Sequence, residues 1–577
     1  MGTISDKLMR IINTKEDIRQ ALISKGYDVP TSIPFKEYAK MILDLPCKVD
    51  SFPDIEGIVA RYSASGLTNE QMAANPVWVD KTGNGHDLQL KNFAWKGMSG
   101  VGGYVADIDE WGTNSTAAYF ERNSIKITAT FKENVSLGLL YHNIKLRQSC
   151  VLKVTGIPEG CDAFLDDQLG NRFYMSEDGV YEIIPSNFLA EALYFSIEKY
   201  PERWYGSKLT IEQLPLYPGA LVFDGVDDYG VCDNFPILTK EKGYTVVVLR
   251  QWITYNPNAI SAIATNASDR SFNGAFTFEN YNKGAEQTIS YGATQISLQY
   301  SKSPFSWQTT SKYNGFNIAN GNKDATNSLV LGRSYPQRNE FANFAIWELV
   351  FLDHDATEEE LTKIKDYFVK TYPWLFPDQA WTVVGKTNED EDRATIANIT
   401  GNGNDLVLSN FGFAEGSGYN EEGEYAGYLV TDGVDDKIIS SIFKMGNDWT
   451  VIGDWELINT GKNDNAGIVK FDSIVIYNYN YNYNSMLINI KNGRNILIPD
   501  QNTVNAICSD GRIYSKDWKE SIYNEETEST SKNFLTIGYS GNAYTKIAFK
   551  NLAIYPTVLS REDCIKAYNY LQTLKAK

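Results

Sequence analysis

At 577 residues the chain exceeds what one hydrophobic core organises, and domains of roughly 150 residues predict about three or four compact units. A net charge of −19 with no Lys/Arg-rich run argues against nucleic acid and anionic membrane surfaces as partners, and no apolar run is long enough for membrane insertion. Aromatic content of 13%, including 36 Tyr, beside only 22% charged residues favours half-buried strands over helices with solvated faces.

The first predicted element is a helical hairpin within residues 1–49. Thr14-Lys15-Glu16-Asp17 reads as a helix start, Ile18, Leu22 and Ile23 recur at helical spacing, and Gly26 ends the helix. A second helix starts at Pro34, carries Phe35, Tyr38, Ala39 and Ile42 on one stripe, and stops at Pro46. So small a hairpin is not stable alone, so Ile18, Leu22, Phe35, Tyr38 and Ile42 are expected to anchor the chain on a partner surface. The N-terminus carries no basic, apolar secretion signal, and Asp6 stands where a myristoylation signal wants Ser or Thr.

An internal repeat dominates the rest. Thr82-Gly83-Asn84-Gly85-His86-Asp87-Leu88-Gln89-Leu90-Lys91-Asn92-Phe93 returns 318 residues later as Thr400-Gly401-Asn402-Gly403-Asn404-Asp405-Leu406-Val407-Leu408-Ser409-Asn410-Phe411, identical at nine of twelve positions. Leu221-Val222-Phe223-Asp224-Gly225-Val226-Asp227-Asp228 returns only 208 residues later as Leu429-Val430-Thr431-Asp432-Gly433-Val434-Asp435-Asp436. The two spacings differ by 110 residues, so the first copy is expected to hold an inserted domain of that size. Its alternation at Cys150–Val154, a turn at Ile157–Gly160 and strand-like Tyr181–Ile184 and Leu193–Ile197 predict a small β-sandwich. Each copy closes with a helix behind a capping residue, Thr357 to about Thr371 and Ser560 to about Thr573. The expected domains are a helical anchor over 1–49, a first lobe over 50–104 and 218–375, an insert over 105–217 and a second lobe over 376–577.

Phe223-Asp224-Gly225-Val226-Asp227-Asp228-Tyr229, followed by Tyr244-Thr245-Val246-Val247-Val248, Leu331-Gly332 and Ala345-Ile346-Trp347, resembles the laminin-G-like, concanavalin A-like jelly-roll family. The resemblance spans about two thirds of the chain and implies a mainly β fold of tandem jelly-roll sandwiches, the first interrupted by the insert, beside the N-terminal hairpin. Separately, Thr14 to Leu22, Lys25-Gly26 and Phe35 to Ala39 look like the N-terminal module on virion proteins of tailed phages of gut Bacteroidales, including the crAss-like group. That implies a head or tail fibre or decoration protein, assembled in the host cytoplasm, that docks to other virion proteins and offers its lobes to host-surface glycan. Fibre proteins of this layout are often trimers, so a homo-oligomer is expected. The rival expectations are a bacterial surface glycan-binding protein and, behind it, a polysaccharide hydrolase.

Candidate sites carry two readings each. Asp224, Asp227 and Asp228, with Asp432, Asp435 and Asp436, supply oxygen ligands of the kind calcium takes in laminin-G-like relatives, and Asp-Gly is equally a plain turn signal. The alternating run of Tyr477, Tyr479, Tyr481 and Tyr483 with Asn residues would, if extended, set four rings beside amides, suiting either a sugar platform or an interface strand. His86, His142 and His354 lie in unrelated segments, and neither a Gly-x-Ser-x-Gly elbow nor a Glu-x-Asp-x-x-Glu strand occurs. No enzymatic activity is therefore expected. The acidic stretches at Asp107–Glu110 and Asn388–Asp392 read as solvated loops, and six scattered cysteines as reduced, mostly buried thiols.

Overall fold

The computed structural model describes Lys15 and residues 52–577, apart from short gaps and the segments 255–260, 266–276, 290–306, 310–315, 322–326, 334–339, 459–466, 480–484, 499–503 and 523–534. The chain divides into two compact units, one of residues 1–54 with 362–367 and one of residues 55–361 with 368–577. In the first, the Phe52 and Tyr367 rings meet edge to face at 4.9 Å. The anchoring residues expected from the sequence, Ile18, Leu22, Phe35, Tyr38 and Ile42, lie outside the described residues.

The second unit is mainly β, as expected, and holds three antiparallel β-sandwiches. In the first, the strand Asn343–Leu352 sits between Leu221–Asp224 and Tyr244–Thr254, with Ile58–Ser63 also paired to it. Nine of its ten residues are buried, as befits a strand covered on both faces. The facing sheet pairs Leu88–Lys91 with Tyr229–Cys232, which pairs in turn with Leu329–Leu331. Leu88 and Leu90 turn into the shared core while Gln89 and Lys91 stay exposed, the two-residue period of a half-buried strand.

The last sandwich repeats this plan. Ile547–Tyr555 lies between Leu429–Val430 and Thr450–Leu457, with Gln379–Thr382 also paired to it. Leu406–Ser409 pairs with Lys437–Ser440, and that with Leu535–Ile537. Between the halves of the first sandwich, residues 112–213 build two five-stranded sheets of their own around Trp204, Leu152, Phe195 and Ile211. The stretch Asp107–Glu110 departs from its reading as a solvated loop. Asp107 caps a 3-10 turn, and Ile108 points into the insert's core with no exposed surface.

Both closing helices begin where their caps predict. Thr357 and Glu360 form a capping box on Glu358–Thr371, and the Ser560 hydroxyl accepts from the Asp563 amide at the start of Arg561–Gln572.

Candidate functional site

The two aspartate turns are superimposable in their bonding. The Asp224 carboxylate accepts from the amides of Val226 and Asp227 at 2.7 and 3.4 Å, and Asp432 accepts from Val434 and Asp435 at 2.7 and 3.2 Å. Asp228 Oδ2 accepts from the Asp224 amide and its Oδ1 from Ser99 Oγ, at 3.0 and 2.9 Å; Asp436 does the same with Asp432 and Ser417, at 2.7 and 3.1 Å. Asn92 and Asn410, both in the left-handed region at φ 68° and 70°, hold the Asp227 and Asp435 carbonyls. Each turn is thus pinned to the loop after the Leu-x-Leu strand.

Asp228 is wholly buried and Asp436 nearly so. Burial, with Asp224 and Asp227 adjacent, pushes Asp228 up to about 7; burial, with Asp432 and Asp435 adjacent, pushes Asp436 up to about 6. In each turn three carboxylate oxygens approach within 4.8 Å of one another. Calcium takes roughly six to eight oxygens, and here both oxygens of Asp228 and Oδ1 of Asp224 already accept protein donors. These donors brace each turn, and each oxygen of Asp228 keeps a lone pair beyond the bond named.

The first part of the tyrosine run is strand. Ile474–Tyr479 pairs with Ser485–Ile490, Tyr477 opposite Leu487 and Tyr479 opposite Ser485. Tyr477 and Tyr479 therefore occupy alternate positions at the end of a hairpin strand, whereas Tyr481 and Tyr483 lie outside the described residues.

Among the described residues, one buried polar cluster is one that sequence reasoning missed. Glu182 of the insert meets Lys550 of the second lobe at 3.9 Å, and Lys550 meets Asp454 at 3.4 Å. Tyr568 donates to Glu182 at 2.9 Å, Tyr428 to Asp454 at 3.0 Å and Gln572 to Asp454 at 3.1 Å. Burial works to lower the Lys550 ammonium's pKa, but Asp454 and Glu182 outweigh it and hold it above the ordinary lysine value. The C-terminal helix links the same junction to the first lobe, since Gln251 donates to Thr573 at 2.9 Å, and to the insert again, since Asn569 donates to the Pro215 carbonyl at 3.4 Å. No local motif marks these residues, which meet only through the tertiary fold. The Ser99 and Ser417 braces, by contrast, share the 318-residue spacing, and extending the repeat by six positions finds them.

No protein-family model matches the chain, and no curated protein matches it. Among solved structures it is similar to Trypanosoma rangeli sialidase in complex with a difluoro-nononic acid, at 9% identity and TM-score 0.23 over 40% of this chain and 41% of that one. It is also similar to the same organism's sialidase in complex with sialic acid, at 9% identity and TM-score 0.22 over 78% and 83%, and to a receptor binding domain at 10% identity and TM-score 0.18 over 56% and 86%. In the first of these the chain spans less than half of the sialidase's length. TM-scores this low assign no catalytic residue. The expectation that the chain has no enzymatic activity is nonetheless withdrawn, because solved sialidases stand among the matches.

Proposed function

We propose that this chain is a glycan-binding presentation protein of a phage particle, a head or tail fibre or decoration protein. In this reading residues 1–49 dock to other virion proteins, copies of the chain assemble as a homo-oligomer, and the sandwiches hold a binding surface towards the host. The observation that carries the glycan part is the position of the Tyr-Asn run. In sequence it alternates four Tyr with four Asn, and its first part lies in the hairpin strand Ile474–Tyr479, so rings and amides follow one another from a paired strand. The bracing of three sandwiches on the C-terminal helix supports the presentation part, since a fixed body loses little freedom when it binds.

The test replaces Tyr479 and Tyr481 with Ala and measures host-glycan binding on an array together with the thermal melt. Binding falls by about 1–3 kcal/mol with an unchanged melt if the rings stack on sugar. Undiminished binding with an unchanged melt sinks the site assignment. Mass spectrometry of purified particles carrying the chain with and without residues 1–49 tests the docking part, and normal incorporation of the truncated chain refutes it.

A further inference from the structure

The insert interrupts one copy of the repeat only. The second sandwich closes its core without such a domain, so the fold of a lobe does not call for these residues and their purpose lies elsewhere. One of the insert's two sheets faces the rest of the chain. Its strand Gly179–Ile183 turns Tyr181 and Ile183 into the insert's core and Val180 and Glu182 outwards. There Val180 is buried and lines a cleft with Trp518 of the second lobe, and Glu182 accepts from the Tyr568 hydroxyl. The outer face of the other sheet points the opposite way, because the sheets of a sandwich pack inner face to inner face.

Strand register fixes what that second face carries. Asp162–Asp166 lies between the edge strand Arg172–Met175 and Leu193–Glu198. Ala163 and Leu165 enter the core, so Asp162, Phe164 and Asp166 share the outer face. Phe164 stands opposite Tyr174 on one side and Ser196 on the other, Asp166 opposite Arg172 and Tyr194, and Asp162 opposite Glu198. Tyr174 is 46% exposed, and its ring meets that of Phe164 at 5.4 Å. Tyr194, half-buried, lies two strands away, about 10 Å at the ordinary strand spacing.

The charged groups of this face hold one another in place. Arg172 lies over the Phe164 ring at 4.6 Å, reaches Asp166 and Glu198 at 3.7 Å each, and donates to the Tyr174 hydroxyl at 3.3 Å. Lys199 pairs with Asp162 from a turn in which Lys199 and Tyr200 are both left-handed, at φ 64° and 46°. The Arg172 and Lys199 side chains are both about half exposed.

From this face we infer that the insert is a carbohydrate-binding module, its outer sheet taking a neutral sugar chain across Tyr174 and Tyr194. The inference rests on the glycan reading proposed above for the chain, though not on the Tyr-Asn run. Pyranose rings offer flat C–H faces that stack on aromatic rings, and hydroxyls that both donate and accept. Here Asp166 and Glu198 accept and Arg172 donates, and their mutual pairing sets their positions before a sugar arrives, so little freedom is lost on binding. The carboxylates of Asp162, Asp166 and Glu198 stand against the cations Arg172 and Lys199, a near balance that suits a neutral chain and neither a polyanion nor a polycation. A protein partner would want an apolar, desolvated centre, whereas the centre of this face is the ion-paired Arg172.

The experiment probes an array of neutral, acidic and amine-bearing oligosaccharides with the full chain, then measures the Kd of the strongest hit in solution, with the Tm and oligomeric state of each variant. Hits are expected among the neutral sugars. Tyr174→Ala should weaken binding by about tenfold or more at an unchanged Tm. Arg172→Met should weaken it too, so the outcome does not hang on the folding of one variant. Tyr119→Ala removes an exposed tyrosine from the insert's other sheet and should leave Kd as it was. The double change Tyr479→Ala with Tyr481→Ala separates the two sites. A loss there with none at Tyr174 overturns this inference and leaves the Tyr-Asn site standing, a loss at Tyr174 alone does the reverse, and losses at both support both. Hits confined to charged sugars, an equal loss in Tyr119→Ala, or a Tyr174→Ala chain that changes oligomeric state but not Kd also overturns it. A chain that binds no sugar on the array ends the glycan reading and this inference together.

Discussion

At the scale of single residues, the aspartates show how a sequence signal can be read correctly in position and still leave its chemistry open. Asp-Gly announces a turn, and the turn is there in both lobes. What the residues cannot announce is that Asp228 and Asp436 turn inward and spend their oxygens on a backbone amide and a serine hydroxyl. A carboxylate whose folded pKa is raised favours the folded state fully at pH below the ordinary carboxylate range, near 4, and that contribution is lost as pH rises through the folded value. For Asp228, near 7, the window runs from about pH 4 to about 7, and for Asp436 from about 4 to about 6. Asp228→Asn removes this titration while keeping one acceptor oxygen. The midpoint of urea unfolding for the variant should therefore gain on the unaltered chain as pH rises from 4 to 7, by a few kcal/mol in all. A difference that stays flat across that range shows that Asp228 is not holding a proton.

At the scale of elements, much was legible because the chain writes the same sandwich twice. The Leu-x-Leu strands, the aspartate turns, the long central strands and the capped helices all carry local patterns, alternation of period two or a capping residue, and local patterns survive being read without neighbours. The tyrosine run was harder for a physical reason. Alternating Tyr and Asn suit a strand anywhere along the run, and only the pairing of Tyr477 with Leu487 and Tyr479 with Ser485 shows which neighbour its first part takes. The repeat also supplies an internal control for backbone strain. Gly332 and Gly538 follow equivalent strands with φ of 79° and 72°, a region that side chains rarely adopt. A Cβ on Gly332 would lie 2.6 Å from Phe223 and 3.0 Å from the Asp228 carbonyl, whereas one on Gly538 would lie 3.1 Å from Thr431. Both Gly→Ala changes should destabilise by about 1–3 kcal/mol from the backbone alone, with Gly332→Ala the worse because the stacked Phe223 and Phe344 rings leave Phe223 little room to move. Equal losses at the two sites would show that the ring yields freely.

At the scale of the whole molecule, what binds insert to second lobe is a charge cluster that no stretch of sequence could disclose, since Glu182 and Lys550 lie hundreds of residues apart and each looks like an ordinary strand residue. The side chains of Glu182, Asp454 and Lys550 are only 10%, 9% and 15% exposed, so removing one partner leaves like charges facing each other in a poorly solvated seam. Lys550→Met should therefore weaken the junction by about 3–5 kcal/mol, mostly through the stranded carboxylates and not through a lost attraction. Calorimetry of the unaltered chain is expected to show the insert and the second lobe melting together, and the variant should separate an insert transition to lower temperature. The mechanism makes a sharper demand on a triple variant. Adding Glu182→Gln and Asp454→Asn to Lys550→Met removes the stranded charges but keeps acceptors for Tyr568, Tyr428 and Gln572, so it should regain most of the lost stability and merge the transitions again. A triple variant as weak as Lys550→Met alone would mean that the lysine holds the junction through its ammonium over the Tyr428 ring, at 5.4 Å, and not through its pairing with the carboxylates.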